Sequence, residues 1–265
     1  MHLAVPDHVL GRVGAAARRR AAFTLQVAAL FWGVLRECSQ PLTWRRTLRA
    51  EMRAMLTRTV GGSLEAVGVT AIVVGLGLVF EVLYWSRNSG ETRLVGRILV
   101  VVLVREITPL LIGIILLGRG GAAAVAELGM LKAEGEVAVL RAEGIDIFQY
   151  LVLPRAVAFA VAAFALGVVF VIVALVSGFV TGSIAGVANR SIFGFFTNVL
   201  RAITFADLTV FAGKLLLIGL LVALVCCATG LAADDTEPPS RLLPRGFTRG
   251  IASIMAVTLA LSALL

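Results

Sequence analysis

Long runs of apolar residues, separated by short polar segments, make up most of the sequence. Five runs are long enough to cross a bilayer as helices, at residues 61–85, 94–118, 148–182, 205–232 and 247–265. The third run continues to Gly186, further than one span requires. Glycines 182 and 186 and Asn189 lower helix propensity there and predict a turn outside the membrane. The pattern predicts five transmembrane helices joined by segments 86–93, 119–147, 187–204 and 234–246. Prolines 238, 239 and 244 forbid a continuous helix in the last of these segments.

A shorter apolar stretch at residues 21–35 follows three consecutive arginines near the amino terminus. Its apolar residues recur at helical spacing and favour an interfacial helix, with a short, tilted first span as the alternative. Charged and bulky residues stand where a signal peptide would be cleaved, so we expect the stretch to be retained. We divide the chain into an amino-terminal interfacial segment, 1–58, and a five-span domain, 59–265.

The composition supports the same class of protein. Hydrophobic residues are 59% of the 265 and charged residues only 15%, with a mean hydropathy of +0.98. The net charge of +8 comes from residues that flank the apolar runs rather than from a nucleic-acid-binding patch. Three cysteines do not form a disulfide framework. The sequence therefore predicts an all-α integral membrane protein with no nucleic-acid partner.

Lysine and arginine are distributed unequally between the two predicted faces of the membrane. Seventeen of the 24 lie on the side of the amino terminus, five lie on the other side, and two lie within spans. Cytoplasmic segments are enriched in these residues. We therefore expect a cytoplasmic amino terminus and, after five spans, a carboxyl terminus on the opposite side.

Charged residues inside a span mark function or a paired partner, because burying them in lipid is costly. Arg105 and Glu106 lie midway along the second span, and Pro109 cannot donate a hydrogen bond to the Arg105 carbonyl. Lys214 lies at a similar depth in the fourth span, roughly 14 Å against 18 Å for Glu106. We predict a cluster that borders the substrate pathway, with an inert ion pair as the alternative. Snorkelling explains Asp207, near the end of its span.

Glycines 178, 182 and 186 recur every four residues in the third run. This spacing clears one face of a helix for close packing, with dimer contact as a variant.

The loop between the second and third spans has an amphipathic pattern. Leu131, Val137, Val139 and Leu140 alternate with charged residues, as in a short helix that lies outside the bilayer against a partner. A solvated connecting helix is the alternative.

The sequence lacks the residues of common catalytic sites. It contains no phosphate-binding G-x-x-x-x-G-K-[ST] loop and no H-E-x-x-H motif, and its two histidines, His2 and His8, lie near the amino terminus. We expect no catalytic residues, no metal site and no cofactor bound by this chain.

Five short motifs follow one another along the middle of the chain: Arg105–Pro109, Gly118–Gly121, Ala126–Gly129, Gly144–Asp146 and Pro154–Arg155. Their order and spacing resemble the signature of MlaE/YrbE-type permeases, the membrane subunits of ABC transporters that work with MCE-domain proteins. The resemblance implies a homodimeric permease in the bacterial inner membrane. It also implies a cytoplasmic ABC ATPase that uses ATP and Mg, a periplasmic MCE-domain protein, and phospholipid or another hydrophobic cargo.

The resemblance also assigns residues 132–144 to a coupling helix that docks on the ATPase. The residues implied in this contact are Lys132, Glu134, Glu136, Leu140, Arg141, Gly144 and Asp146. The chain departs from the family at Gly135-Glu136, where a Glu-Gln pair is common, and at Ile147, where proline is common. An interior glycine disfavours helix, so the coupling helix should be less rigid or begin later.

Two other functions fit the spans. An ion-coupled secondary transporter of a hydrophobic substrate would use Arg105, Glu106 and Lys214 as a proton relay, although five unequal spans show no paired repeats. A membrane scaffold would anchor an MCE complex without transporting lipid.

Overall fold

The computed structural model describes residues 7–39, 46–89, 94–186, 192–232 and 239–263. Within these ranges the chain is almost entirely helical and has no β-strand. Six helices there are long and apolar enough to cross a membrane, at Ala21–Cys38, Arg49–Trp85, Arg97–Ala133, Phe148–Ile184, Phe205–Leu231 and Arg241–Ala263. The last five carry the predicted spans, and the protein is an all-α, multi-pass membrane protein. Ala21–Cys38 meets the same criteria of length and composition. It is therefore compatible with the alternative in which residues 21–35 form a short, tilted first span.

The chain forms two compact units, Met1–Trp44 and Arg45–Leu265. In the described part of the first unit, helix α1 runs over Asp7–Cys38. The division lies nearer the amino terminus than the predicted boundary at residue 58. The helix that carries the first predicted span already begins at Arg46, well before residue 58, and continues without interruption to Ser89.

The next two long helices each contain π-helical segments. Helix α2, residues 46–89, is α-helical over Arg46–Val74 and Phe80–Ser89 and π-helical over Gly75–Val79. Helix α3, residues 94–133, has α-helical parts and two π-helical parts. The α-helical parts are Leu94–Leu99, Thr108–Leu116 and Ala122–Ala133, and the π-helical parts are Val100–Ile107 and Leu117–Gly121. The second span was predicted to end at residue 118, but its helix extends to Ala133.

A short helix α4, Glu136–Ala142, connects α3 to the next long helix. That helix, α5, comprises residues 148–184, with a π-helical start at Phe148–Val152 and an α-helical remainder at Leu153–Ile184. It ends at a turn in which Gly186 has φ +68°, as the sequence indicated. Asn189, also named in that prediction, lies outside the described residues.

Three helices complete the second unit. Helix α6, Ile192–Ala202, lies in a segment that was predicted only as a connection, and α7 runs over Phe205–Leu231. Helix α8, Pro239–Ala263, contains Pro244, so the prediction that prolines forbid a continuous helix over residues 234–246 was wrong for residues 239–246. Pro238 lies outside the described residues. Proline is favoured at the first helical position, which Pro239 occupies, because no backbone hydrogen bond is lost there. Pro244 comes five residues later, so the backbone hydrogen bond that it cannot make lies near the start of α8.

Helices α5 and α7 form the centre of the second unit, with α2 packed on α5 and α8 packed on α7. The contact of α5 with α2 depends on glycine. A Cβ at Gly178 would lie 2.2 Å from Val79 Cβ, and a Cβ at Gly75 would lie 2.2 Å from the Ala174 carbonyl oxygen. Gly178 therefore allows close helix packing. Gly182 is also buried.

Gly186 does not pack a helix, in contrast to its predicted role. It lies in the turn after α5, and a Cβ there would have no neighbour within 4 Å. Its positive φ instead explains the residue type, because glycine adopts this left-handed conformation without steric cost.

Candidate functional site

Lys214 forms the centre of a charged cluster, the Lys214 site, between α3, α7 and α8. Its side chain is fully buried, and its Nζ donates to Glu106 Oε1 at 2.9 Å, to Ser262 Oγ at 2.9 Å and to the Arg105 carbonyl at 3.0 Å. An ammonium group has three protons to donate. Each has an acceptor, which offsets the cost of burying the charge.

The carbonyl of Arg105 is available to Lys214 because of the proline that follows it. Pro109 has no N–H with which to close the usual helical bond to that carbonyl. The π-helical segment Val100–Ile107 ends just before this proline, and Thr108 Oγ1 donates to the Leu103 carbonyl at 2.7 Å. The helix therefore continues through Pro109, and the lysine on α7 takes the place of the missing backbone donor.

The guanidinium of Arg105 points to a different partner. Its Nη1 lies 3.5 Å from Asp207 Oδ1. Asp207 also caps α7, because its Oδ2 accepts from the Thr204 backbone N–H at 3.0 Å and from the Thr204 hydroxyl at 2.5 Å. Carboxylates at helix amino termini are stabilised by the helix dipole. Asp207 thus fixes the start of α7 and holds Arg105 beside the Lys214 site.

Two polar groups of the site remain available for a ligand. The Glu106 side chain is 41% exposed, although it accepts hydrogen bonds from Lys214 and Ser262. The Nε of Arg105 is buried and has no hydrogen-bond partner among the described residues. A buried donor without an acceptor costs free energy, and an incoming acceptor would recover it. The site can therefore bind a group that carries both acceptors and donors.

The structure brings together the residues that the sequence predicted to be close. Glu106, Lys214 and the backbone of Arg105 are in direct contact, and Pro109 frees the carbonyl that joins them. Ser262 and the pairing of Arg105 with Asp207 were missed. The spacing of Thr204 and Asp207 is that of a capping box, and this signal could have indicated that Asp207 is held at a helix start.

The predicted coupling segment, 132–144, contains two turns and the short helix α4. Gly135 has φ +79° and lies in the turn before α4, so the helix begins at Glu136 rather than at residue 132, which is the later start that this glycine predicted. Gly144 has φ +78° and ends the helix. The Ile145 N–H donates to the Leu140 carbonyl, and the Gly144 N–H donates to the Arg141 carbonyl. This is the Schellman pattern of a glycine-terminated helix.

Two of the side chains implied in ATPase contact form hydrogen bonds within the chain. Lys132 Nζ donates to the carbonyl of Leu231, the last residue of α7, at 3.0 Å. Asp146 Oδ1 accepts from the Phe148 N–H at 2.9 Å and so caps α5. Both residues fix the positions of helix ends.

Helix α4 and the turn before it present four other side chains of the predicted set. Glu134, Glu136 and Arg141 are exposed, and Leu140 is half-buried. Val137 points into the bundle at 7% exposure, whereas Val139 is 57% exposed. The face of α4 that points away from the bundle therefore consists of charged side chains around Val139.

Comparison with known proteins gives the family of the chain. A chloroplastic protein of Arabidopsis thaliana, TRIGALACTOSYLDIACYLGLYCEROL 1, is 32% identical over 125 residues, which cover 47% of this chain and 34% of that protein. A "Probable ABC transporter permease protein" of Synechocystis is 26% identical over 71% of this chain and 69% of its own length. A protein of that name from Rickettsia typhi is 26% identical over 63% of this chain and 64% of its own.

The chain thus matches about a third of the Arabidopsis protein and about two thirds of each bacterial relative. The model of the family described as Permease MlaE matches residues 52–264. These residues include all of α2 except its first six residues, together with the Lys214 site and α4. The chain belongs to the MlaE permease family.

Proposed function

We propose that this chain is the membrane permease subunit of an ATP-driven transporter that moves lipid. The observation that supports this proposal most directly is the Lys214 site. It combines a fully buried lysine, a half-exposed carboxylate and an arginine with an unused donor inside an apolar helix bundle. Ionisable groups at such a place mark substrate pathways by default.

A phospholipid is the cargo that best fits these groups. The unpartnered Nε of Arg105 can donate to a phosphate oxygen, and the exposed part of Glu106 can accept from an amine or hydroxyl of a headgroup. The surrounding spans offer leucine, valine and phenylalanine to acyl chains. The Arabidopsis relative is named for trigalactosyldiacylglycerol, a glycerolipid, and supports lipid as the class of cargo.

Hydrolysis of ATP with Mg would occur on a cytoplasmic ABC ATPase, because the sequence has no phosphate-binding loop of its own. The names of the bacterial relatives, ABC transporter permease proteins, support this partner. On this proposal, α4 docks on the ATPase through Glu136, Val139 and Arg141. A second copy of the permease and a periplasmic MCE-domain protein complete the assembly in the inner membrane, with the amino terminus cytoplasmic.

Transport by reconstituted vesicles tests the role of the Lys214 site. The permease would be purified with its ATPase, placed in vesicles with a fluorescent phospholipid, and assayed for ATP-dependent lipid movement. Glu106→Gln and Lys214→Met should each reduce transport by about tenfold or more, since each removes a charge from the site. Glu65→Gln removes an exposed carboxylate from α2 and should transport like the wild type.

The same preparation separates the alternatives. Normal transport by both site variants in intact complexes would refute a role for the Lys214 site in the pathway. Lipid movement that follows an ion gradient and needs no ATP would favour an ion-coupled carrier. An ATPase that is absent, or that does not respond to lipid, would favour a scaffold.

A further inference from the structure

A polar cavity lies in the bundle, away from the Lys214 site. It is open on one side, has a volume of about 310 Å³ and is lined by α2, α3 and α5. The polar residues that line it are Arg58, Thr59, Ser63, Arg119, Glu127 and Arg155. Arg119 follows Glu106 on α3 by thirteen residues, or about 20 Å along the helix. We call this cavity the Arg119 cavity.

The charge of the Arg119 cavity is positive. Arg155 is 3% exposed and pairs with Glu127, with 2.8 Å between Nη2 and Oε1, and it also donates to the Leu151 carbonyl. Arg58 and Arg119 are exposed and have no ion pair or hydrogen bond within the described residues. Three guanidinium groups against one carboxylate leave the cavity with an excess of two positive charges.

Ser63 gives the cavity an unused hydrogen-bond donor. It is 1% exposed, and its Oγ has no hydrogen-bond partner among the described residues. Two other hydroxyls on α2 bond to the preceding helical turn: Thr57 donates to the Ala54 carbonyl at 2.9 Å and Thr70 to the Ala66 carbonyl at 2.7 Å. A buried hydroxyl without a partner costs free energy. An acceptor bound in the cavity would satisfy it.

The position of the cavity along α2 and α3 indicates where its ligand comes from. Arg58 lies just before the apolar run that begins at residue 61, and Arg119 lies just after the run that ends at residue 118. Both arginines are therefore at the depth where the hydrocarbon region gives way to headgroups. Met55 and Phe159 supply apolar walls beside them.

We propose that the Arg119 cavity binds the phosphate group of an anionic phospholipid. Arg58 and Arg119 bind the phosphate oxygens at the mouth of the cavity, and Ser63 donates from its buried wall. Guanidinium groups suit this task because their donors match the geometry of phosphate. This proposal goes beyond the proposed function, since lipid can bind here whether or not the chain transports it.

The test measures how bound ligand raises the thermal stability of the purified full-length chain in neutral detergent. The probes are phosphatidylglycerol, diacylglycerol and inorganic phosphate. Phosphatidylglycerol should stabilise the wild type, and the other two should not. The double variant Arg58→Gln, Arg119→Gln should weaken the apparent affinity for phosphatidylglycerol by about tenfold or more, because it removes two charge-assisted contacts.

Two further variants separate a specific site from general surface charge. Arg53→Gln removes an exposed arginine from the same helix outside the cavity and should bind like the wild type. Ser63→Ala should be at least as stable as the wild type without lipid, since it removes the unsatisfied hydroxyl, yet it should gain less stability from phosphatidylglycerol.

Four results would overturn the proposal. Equal stabilisation by diacylglycerol would show that the phosphate is not recognised. Equal stabilisation by inorganic phosphate would show that the ligand is not a lipid. A loss of affinity in Arg53→Gln as large as in the double variant would indicate non-specific charge. Unchanged affinity in both the double variant and Ser63→Ala would exclude the cavity as the binding site.

Discussion

The two partners of the buried ion pair should contribute unequally to stability. The Lys214 side chain has no exposed surface, whereas 41% of the Glu106 side chain is exposed. Glu106→Gln leaves a buried ammonium without a counter-charge. Lys214→Met leaves a carboxylate that water or a headgroup can still reach. We therefore predict that Glu106→Gln is the more destabilising substitution, although it changes the side-chain shape less.

The magnitudes follow from the contacts of each side chain. Removal of one partner of a buried pair costs about 3–5 kcal/mol, and the remaining acceptors, Ser262 and the Arg105 carbonyl, place Glu106→Gln at the lower end, about 3 kcal/mol. Lys214→Met conserves volume approximately and loses hydrogen bonds to a partly hydrated carboxylate, for about 1–2 kcal/mol. The double variant contains neither charge and should resemble Lys214→Met, because paired charges couple non-additively.

Equilibrium unfolding of the purified chain in mixed micelles, followed by tryptophan fluorescence, would give the free energies of unfolding. Glu65→Gln, at an exposed position on α2, controls for the loss of a carboxylate. A larger loss for Lys214→Met than for Glu106→Gln would refute the reasoning from burial. So would a double variant whose loss equals the two single losses added together.

Three other outcomes follow from the structure. Gly178→Ala should lower the free energy of unfolding by about 1–3 kcal/mol in the same assay, because its Cβ would overlap Val79, whereas Gly68→Ala, with open space around it, should raise it by up to about 1 kcal/mol. Val139→Asp should leave the unfolding curve unchanged but reduce the amount of ATPase that copurifies, and full copurification would argue against α4 as the docking surface. In intact spheroplasts, a membrane-impermeant maleimide should not label the exposed Cys38 until the membrane is opened, if the helix of residues 21–35 is interfacial and cytoplasmic.

The sequence predicted the parts of the Lys214 site that depend on depth along a helix. Counting residues from the ends of two apolar runs brought Glu106 and Lys214 to similar depths, and the chemistry of proline identified the free carbonyl of Arg105. Depth needs only the rise per residue, which helices share. The structure confirms this contact.

The direction of each side chain around its helix was not predictable in the same way. The π-helical segment Val100–Ile107 changes the rotation of α3 just before Pro109, and within it Arg105 pairs with Asp207 while Glu106 pairs with Lys214. No pattern of apolar residues marks such a segment. Ser262 was missed for a related reason, since only the packing of α8 against α7 brings it to Lys214.

Prolines and glycines indicated where helices are interrupted, but not always at which residue a helix begins. Gly135 predicted a coupling helix that is less rigid or begins later, and the structure shows the later start, with Gly135 in a left-handed turn before α4. Pro244 was expected to prevent helix and lies within α8. In both cases the helix boundary depends on contacts with other helices, which a single sequence does not contain.

The hydrogen bond between Lys132 and the end of α7 has a mechanical consequence. Helix α7 extends over 27 residues, or about 40 Å, from Asp207 and Lys214 near its first turns to Leu231 at its last. Lys132 binds the carboxyl-terminal end of α7 and itself lies two residues before the turn that leads into α4. We expect α7 to transmit movement along its length: a displacement of α4 would shift Leu231 and, through the helix, Lys214, which lies seventeen residues or about 26 Å away.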